Sequence, residues 1–120
     1  MATYKDLLIY KKAFELAMNI FEISKRFPKE EMYSLTDQIR RSSRSVCANF
    51  AEAYRRRKYP AHFMSKLTDA DSENTETEVW IDFAFACKYI TATEHKELVA
   101  NKEEVGRLLG DIIKNPSKYS

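Results

Sequence analysis

Hydrophobic positions recur at helical spacing along nearly the whole chain. Ile9, Ala13, Leu16, Ile20, Ile23 and Phe27 alternate steps of four and three residues, a heptad seam. A second seam, Tyr10, Phe14, Ala17 and Phe21, runs beside it. The two make an apolar arc about 220° wide, where a helix on the outside of a small monomeric bundle needs roughly 100–140°. Lys11, Lys12, Glu15, Asn19, Glu22 and Arg26 fill the remainder of this first helix, expected over about residues 7–26. Such excess apolar surface belongs either to a helix central in its bundle or to one whose second seam is covered by another subunit. A four-helix bundle has no central helix, so Tyr10, Phe14, Ala17 and Phe21 are the expected oligomer interface.

Pro28 stops the first helix, because a residue before proline avoids the α region. Ser34 is the expected N-cap of a second helix, about 34–57. Its stripe of Leu35, Ile39, Val46, Phe50, Ala53 and Tyr54 falls within an arc of about 100°. Roughly opposite lie Arg40, Arg41, Arg44, Arg55 and Lys58, with Ala48 and Ala51 between the two basic groups. Pro60 suits the first position of a third helix. That helix meets a polar stretch, TDADSENTETE, in which Thr75-x-x-Glu78 imitates a capping box and argues for a break near 71–74. Against a break, Phe63, Leu67, Ala70, Asn74, Thr77, Ile81 and Ala84 keep heptad phase straight through it. A loop has no reason to preserve phase, so one helix is expected over about 60–89, with a polar layer at Asn74 and Thr77 that Asn49 faces. Thr91-x-x-Glu94 caps a fourth helix, about 93–114, whose stripe is Leu98, Val105, Leu108, Leu109, Ile112 and Ile113. Gly106 and Gly110 mark either weak spots or a close helix crossing. The pattern predicts an all-α protein: one antiparallel up-down four-helix bundle over residues 1–120.

Composition narrows this further. With 120 residues, 44% apolar and 32% charged, the chain is one globular domain with a real core. Two glycines and three prolines leave room for few turns. The net charge is only +2, but it is unevenly spread. Residues 34–59 hold seven Lys/Arg against two acids, whereas residues 60–90 hold two Lys against six acids. Two readings follow for the basic face: a solvated surface, or one that meets phosphates or an acidic helix. Cys47 and Cys87 are isolated and are expected to be buried free thiols of a reducing compartment. The N-terminal stretch has none of the features of a signal peptide, and no apolar run has the length of a membrane span, so a cytoplasmic location is expected.

Catalytic chemistry finds no support. The di-metal carboxylate sites of helical bundles use Glu-x-x-His on two helices, and neither His62 nor His95 has a glutamate three residues earlier. No Gly-rich phosphate loop and no Ser-His-Asp or Cys-His set is present, and Glu52, close in angle to Arg41 and Arg56, reads as a structural ion pair rather than a general base. A non-enzyme without cofactor or metal is expected.

The stretches FPKEEMYSLTDQIRRSSRSVCANFAEAYRRR, TETEVWIDFA and KYIT resemble the four-helix-bundle family associated with 23S rRNA intervening sequences. The chain departs from that pattern at Ala53, where Gly is frequent, at Cys47, where Pro is common, and in the three arginines after Tyr54. The missing proline favours an unkinked second helix. The resemblance implies an up-down bundle assembled into a ring-like homo-pentamer. It also implies kinship with accessory proteins of diversity-generating retroelements, which are basic pentamers associated with a reverse transcriptase and nucleic acid. Two functions follow. In the first, a homo-oligomeric bundle binds RNA or DNA backbone through Arg40, Arg41, Arg44, Arg55, Arg56, Arg57 and Lys58. In the second, the chain is a protein–protein assembly factor, and these arginines pair with Asp69, Asp71, Glu73, Glu76 and Glu78 on the acidic third helix of a neighbour.

Overall fold

The computed structural model describes residues 3–119. Four helices account for most of it: α1 Leu8–Ser24, α2 Leu35–Arg55, α3 Pro60–Ala86 and α4 Ala92–Lys114. Short 3₁₀ turns precede α1, link α1 to α2 and follow α4. The described residues include no strand. Cross-helix bonds set the directions: Ser24 meets Arg40, Glu52 meets Lys66, Glu78 meets Lys102, and Arg26 meets Glu94. Each helix therefore runs antiparallel to its chain neighbour, and α4 closes on α1, giving an up-down bundle of 44 × 25 × 24 Å.

The seam through the polar stretch of α3 is the buried face of one continuous helix: Phe63, Leu67, Ala70, Asn74, Thr77, Ile81 and Ala84 are all buried. At 1.5 Å per residue this helix is about 40 Å long. Thr75 donates to Asp71 O inside it instead of starting a new helix. Below 2% exposure lie Leu16, Ile20, Ile39, Phe50, Leu67, Ile81 and Leu109, drawn from all four helices. Burying each such side chain stabilises the fold by about 1.5–3 kcal/mol.

Several expectations need correction. The helix α3 ends at Ala86, not Tyr89, because Lys88 adopts φ 66°. There Tyr89 N–H donates to Ala84 O and Lys88 N–H to Phe85 O, the two bonds of a Schellman motif. That turn leaves Cys87 exposed rather than buried, while Cys47 is buried as expected. Ser34 stands at the N-cap of α2 but makes no side-chain cap. Instead Glu31 accepts from Leu35 N–H, from Ser34 Oγ and from Tyr89 Oη, so the cap arrives from the preceding turn. The polar layer does not face Asn49, whose amide donates to Ser45 O in its own helix. Thr77 shares a hydrogen bond with Ser42 of α2 instead, Oγ1–Oγ 2.9 Å. Asn74 donates to Lys102 O on α4, and Gly106 makes room for it: a Cβ there would sit 3.2 Å from Asn74 Nδ2. Glu52 pairs with Lys66 at 2.9 Å and Arg41 with Asp37 at 3.7 Å.

Candidate nucleic-acid interface and adjoining apolar groove

The basic residues of α2 fall into two groups with different fates. Near the middle of the helix, Arg40 is half-buried; its Nε donates to Ser24 Oγ at 2.7 Å, and its guanidinium lies 4.8 Å from the Phe21 ring centroid. Buried Ser24 donates in turn to Phe21 O. Arg44 and Lys25 also stand over Phe21, at 5.5 and 4.8 Å. One ring thus organises three cations, each contact contributing about 0.5–1 kcal/mol where solvent-exposed. Arg40 is committed within the chain, whereas Arg44 stays exposed.

The second group sits where α2 frays into the turn before α3. Arg55, Arg56 and Lys58 are exposed. Arg57 folds back: its guanidinium lies 4.0 Å from the Tyr54 ring and donates to Tyr54 O. Among the described residues, none of these four cations lies within 4.0 Å of a carboxylate. Beside them Tyr59 is 64% exposed, with its ring set edge-on to His62. An exposed tyrosine ring thus stands beside the run of cations, a side-chain type on which nucleic-acid bases can stack. Up-down topology brings this turn to the same end of the bundle as the start of α1 and the end of α4, which carry Lys5, Lys114 and Lys118.

The acidic residues of α3 are largely engaged inside the chain. Asp69 meets Lys66, Glu78 meets Lys102 at 2.7 Å, and Asp82 meets His95 at 2.9 Å. Glu76 accepts from Trp80 Nε1. Glu73 is pushed above the ordinary carboxyl range, first by partial burial and then by Glu76 and Asp69 nearby, with Arg41 opposing.

Between α1 and α2 runs a groove of about 380 Å³, with Tyr10, Phe14, Ala17 and Met18 on one side and Arg44, Cys47, Ala48 and Ala51 on the other. Phe14 and Met18 are 52% and 44% exposed, a large unpaired apolar surface. The other members of the expected interface are more enclosed: Ala17 is buried, Tyr10 packs against the core and Phe21 lies beneath its cations. Burial also pushes the Cys47 thiol up to about 11. Among the described residues, no three His, Cys, Asp or Glu side chains are placed to hold a metal ion. None of the described helices is long and apolar enough to cross a membrane.

Against known proteins, no curated sequence matches. Among solved structures, the bundle is similar to a protein of unknown function from the S23 ribosomal protein family of Bacteroides thetaiotaomicron, a crystal structure at 1.70 Å resolution. The two are 30% identical, with a TM-score of 0.82 over 90% of this chain and 100% of that one. A family model described as the 23S rRNA-intervening sequence protein matches residues 5–111. The chain belongs to the 23S rRNA-intervening sequence protein family.

Proposed function

We propose that this protein is a non-enzymatic, homo-oligomeric helical bundle that binds RNA or DNA backbone through the basic end of its second helix. One observation carries the reading: among the described residues, Arg55, Arg56, Arg57 and Lys58 have no carboxylate partner, while three of the six acids of α3, Asp69, Glu78 and Asp82, are already paired with the chain's own Lys66, Lys102 and His95. An external polyanion is then the better match for the free cations than the acidic helix of a neighbour. Phosphate contacts of this kind position a nucleic acid without reading its sequence. The half-exposed Phe14 and Met18 support self-association, and a ring of copies repeats the basic end several times on one particle.

Fluorescence anisotropy with a mixed-sequence single-stranded RNA tests the binding. Three or four neutralised phosphates give a slope of log affinity on log salt of about −2.1 to −2.8 per protomer engaged. Between 50 and 200 mM salt, affinity then falls about 20- to 50-fold. Replacing Arg55, Arg56 and Lys58 with glutamine lowers the slope by about 2. Affinity that is flat in salt, or no binding at 50 mM, overturns the proposal. Charge reversal at Arg44 and Arg55 that splits the oligomer, in a protein that binds no RNA, establishes the assembly-factor reading instead.

A further inference from the structure

Two tyrosines flank the cations at the end of α2, and they differ in what is left open. Tyr54 is occupied: the Arg57 guanidinium lies 4.0 Å from its ring centroid, and Phe50 stacks on it at 6.3 Å. Tyr59 meets His62 edge-on at 6.4 Å and, at 64% exposure, leaves most of its ring to solvent. Its backbone is firmly held. Tyr59 N–H donates to Arg56 O, and Tyr59 O accepts from Phe63 N–H, both at 2.9 Å, with Phe63 buried in the core. Pro60, in the first turn of α3, fixes the φ that follows. A single exposed aromatic is ordinary on a protein surface. Tyr33 is one: it is 91% exposed, but it follows Glu30 and Glu31 at the opposite end of the bundle. Tyr59 instead shares its turn with Arg55, Arg56, Arg57 and Lys58, which no carboxylate among the described residues neutralises.

We propose that Tyr59 is a stacking platform for one unpaired base, which makes the basic end of α2 selective for single-stranded nucleic acid. This inference rests on the backbone-binding reading above and names the kind of strand it takes. Cations alone give no such selectivity. A duplex carries one charge per about 1.7 Å of axis, against about 3.4 Å along either strand, so phosphate attraction by itself favours the duplex. The interior bases of a duplex lie face to face with their neighbours, out of reach of a ring on the protein. In a single strand a base swings out and lies on the ring while adjoining phosphates meet Arg55, Arg56 and Lys58. Every base has a π-face, so the platform adds affinity without reading sequence.

Fluorescence anisotropy at low salt, with labelled oligouridylate, oligothymidylate and an RNA duplex of equal length, tests this. Tyr59→Ala should weaken binding of both single strands by about 5- to 150-fold and leave the duplex unchanged. The salt slope should stay the same, because no charge is removed. Tyr59→Phe keeps the ring and should bind as wild type does. A deoxyribose-phosphate strand without bases should bind wild type as weakly as oligothymidylate binds Tyr59→Ala. The Tyr59 side chain is exposed and caps nothing, so unchanged helical circular dichroism is expected. Tyr33→Ala, which removes an exposed tyrosine far from the cations, should change no affinity. If Tyr59→Ala lowers single-strand and duplex affinity alike, or neither, or if the base-free strand binds as tightly as the intact one, the platform is refuted while backbone binding stands. A drop confined to oligouridylate would assign Tyr59 to the ribose hydroxyl and refute stacking too. No binding of any probe at low salt removes the backbone reading itself.

Discussion

Replacing Lys88 with glycine should stabilise the protein, and the turn between α3 and α4 gives the size of the effect. Lys88 holds φ 66°. There the Cβ of an L-residue crowds the following carbonyl at a cost of about 1–2 kcal/mol. The turn keeps this conformation because it closes the Schellman bonds to Ala84 and Phe85, both 2.9 Å, and swings Tyr89 onto Phe27, ring centroids 5.5 Å apart. Glycine relieves the crowding but makes the unfolded chain more flexible, which takes back about 0.4–1 kcal/mol. The net gain is about 0.5–1 kcal/mol. With an unfolding entropy near 2.1 cal/mol/K per residue, a chain of this length has about 0.25 kcal/mol/K in all, so the melting temperature rises by about 2–4 °C. Thermal unfolding followed by circular dichroism reads this directly. Chain concentration must be fixed, since association shifts the midpoint of an oligomer. Lys88→Ala is the control: it removes the ammonium group but keeps the Cβ, and its midpoint should stay near wild type. Equal midpoints for glycine and alanine, or a lower one for glycine, would refute the reasoning.

Acid should weaken the cap of α2. Glu31 is held below the usual carboxyl value by the hydrogen bond from Ser34 and then by that from Tyr89. A depressed folded pKa means stability that is present above the unfolded value and lost as pH falls through the folded one. The melting-temperature gap between wild type and Glu31→Gln should therefore be widest above about pH 5 and close towards about pH 3; a gap constant across that range would count against the role given to Glu31. The same bond pushes Tyr89 up to about 12, so its phenol stays protonated well into alkaline solution. Thiol labelling should separate the cysteines: Cys87 is exposed and should react in the native protein, whereas Cys47 should react only after denaturation. Two reactive thiols per native chain at pH 8 would show the groove floor to be open.

What could be read from sequence was whatever depends on period. The heptad phase of α3 survived eleven mostly polar residues because burial acts on position more than on local propensity, so Asn74 and Thr77 stay inside. Proline at the first turn of α3 and the Thr91–Glu94 capping box of α4 were equally legible, each needing only neighbours in sequence. Contacts across the bundle were not. Ser24 has the look of a fraying helix end, yet it is 2% exposed and anchors Arg40. Ser42, not Asn49, completes the polar layer: the two stand seven residues apart on nearly one face, so position along the axis of α2, about 10 Å between them, decides which side chain is level with Thr77. The apolar surroundings of Cys87 pointed inward, but the turn at Lys88 lies just beyond it and ends the helix before its side chain reaches the core.

The seven cations of α2 show the same division and bear most on function. On a helical wheel Arg40, Arg41, Arg44, Arg55 and Lys58 share the face opposite the apolar stripe. In the folded chain Arg40 belongs to Ser24 and Phe21, Arg41 to Asp37 and Arg57 to Tyr54. Arg44, Arg55, Arg56 and Lys58 remain for a partner. A net charge of +2 conceals this, because the eighteen acids that balance the total are spread along the chain, six of them on α3, where Asp69, Glu78 and Asp82 are met by Lys66, Lys102 and His95. Exposed charges more than about 10 Å apart are largely screened at 0.1 M salt, so those distant carboxylates do little to offset the field at the Arg55–Lys58 turn. A polyanion approaching that end meets the local run of cations rather than the molecular sum. Arg56→Gln should therefore weaken RNA binding more than Arg40→Gln, whereas Arg40→Gln should cost more in stability because it leaves the buried Ser24 hydroxyl without its partner on α2. The opposite ranking in binding would place the interface beside Phe21 instead.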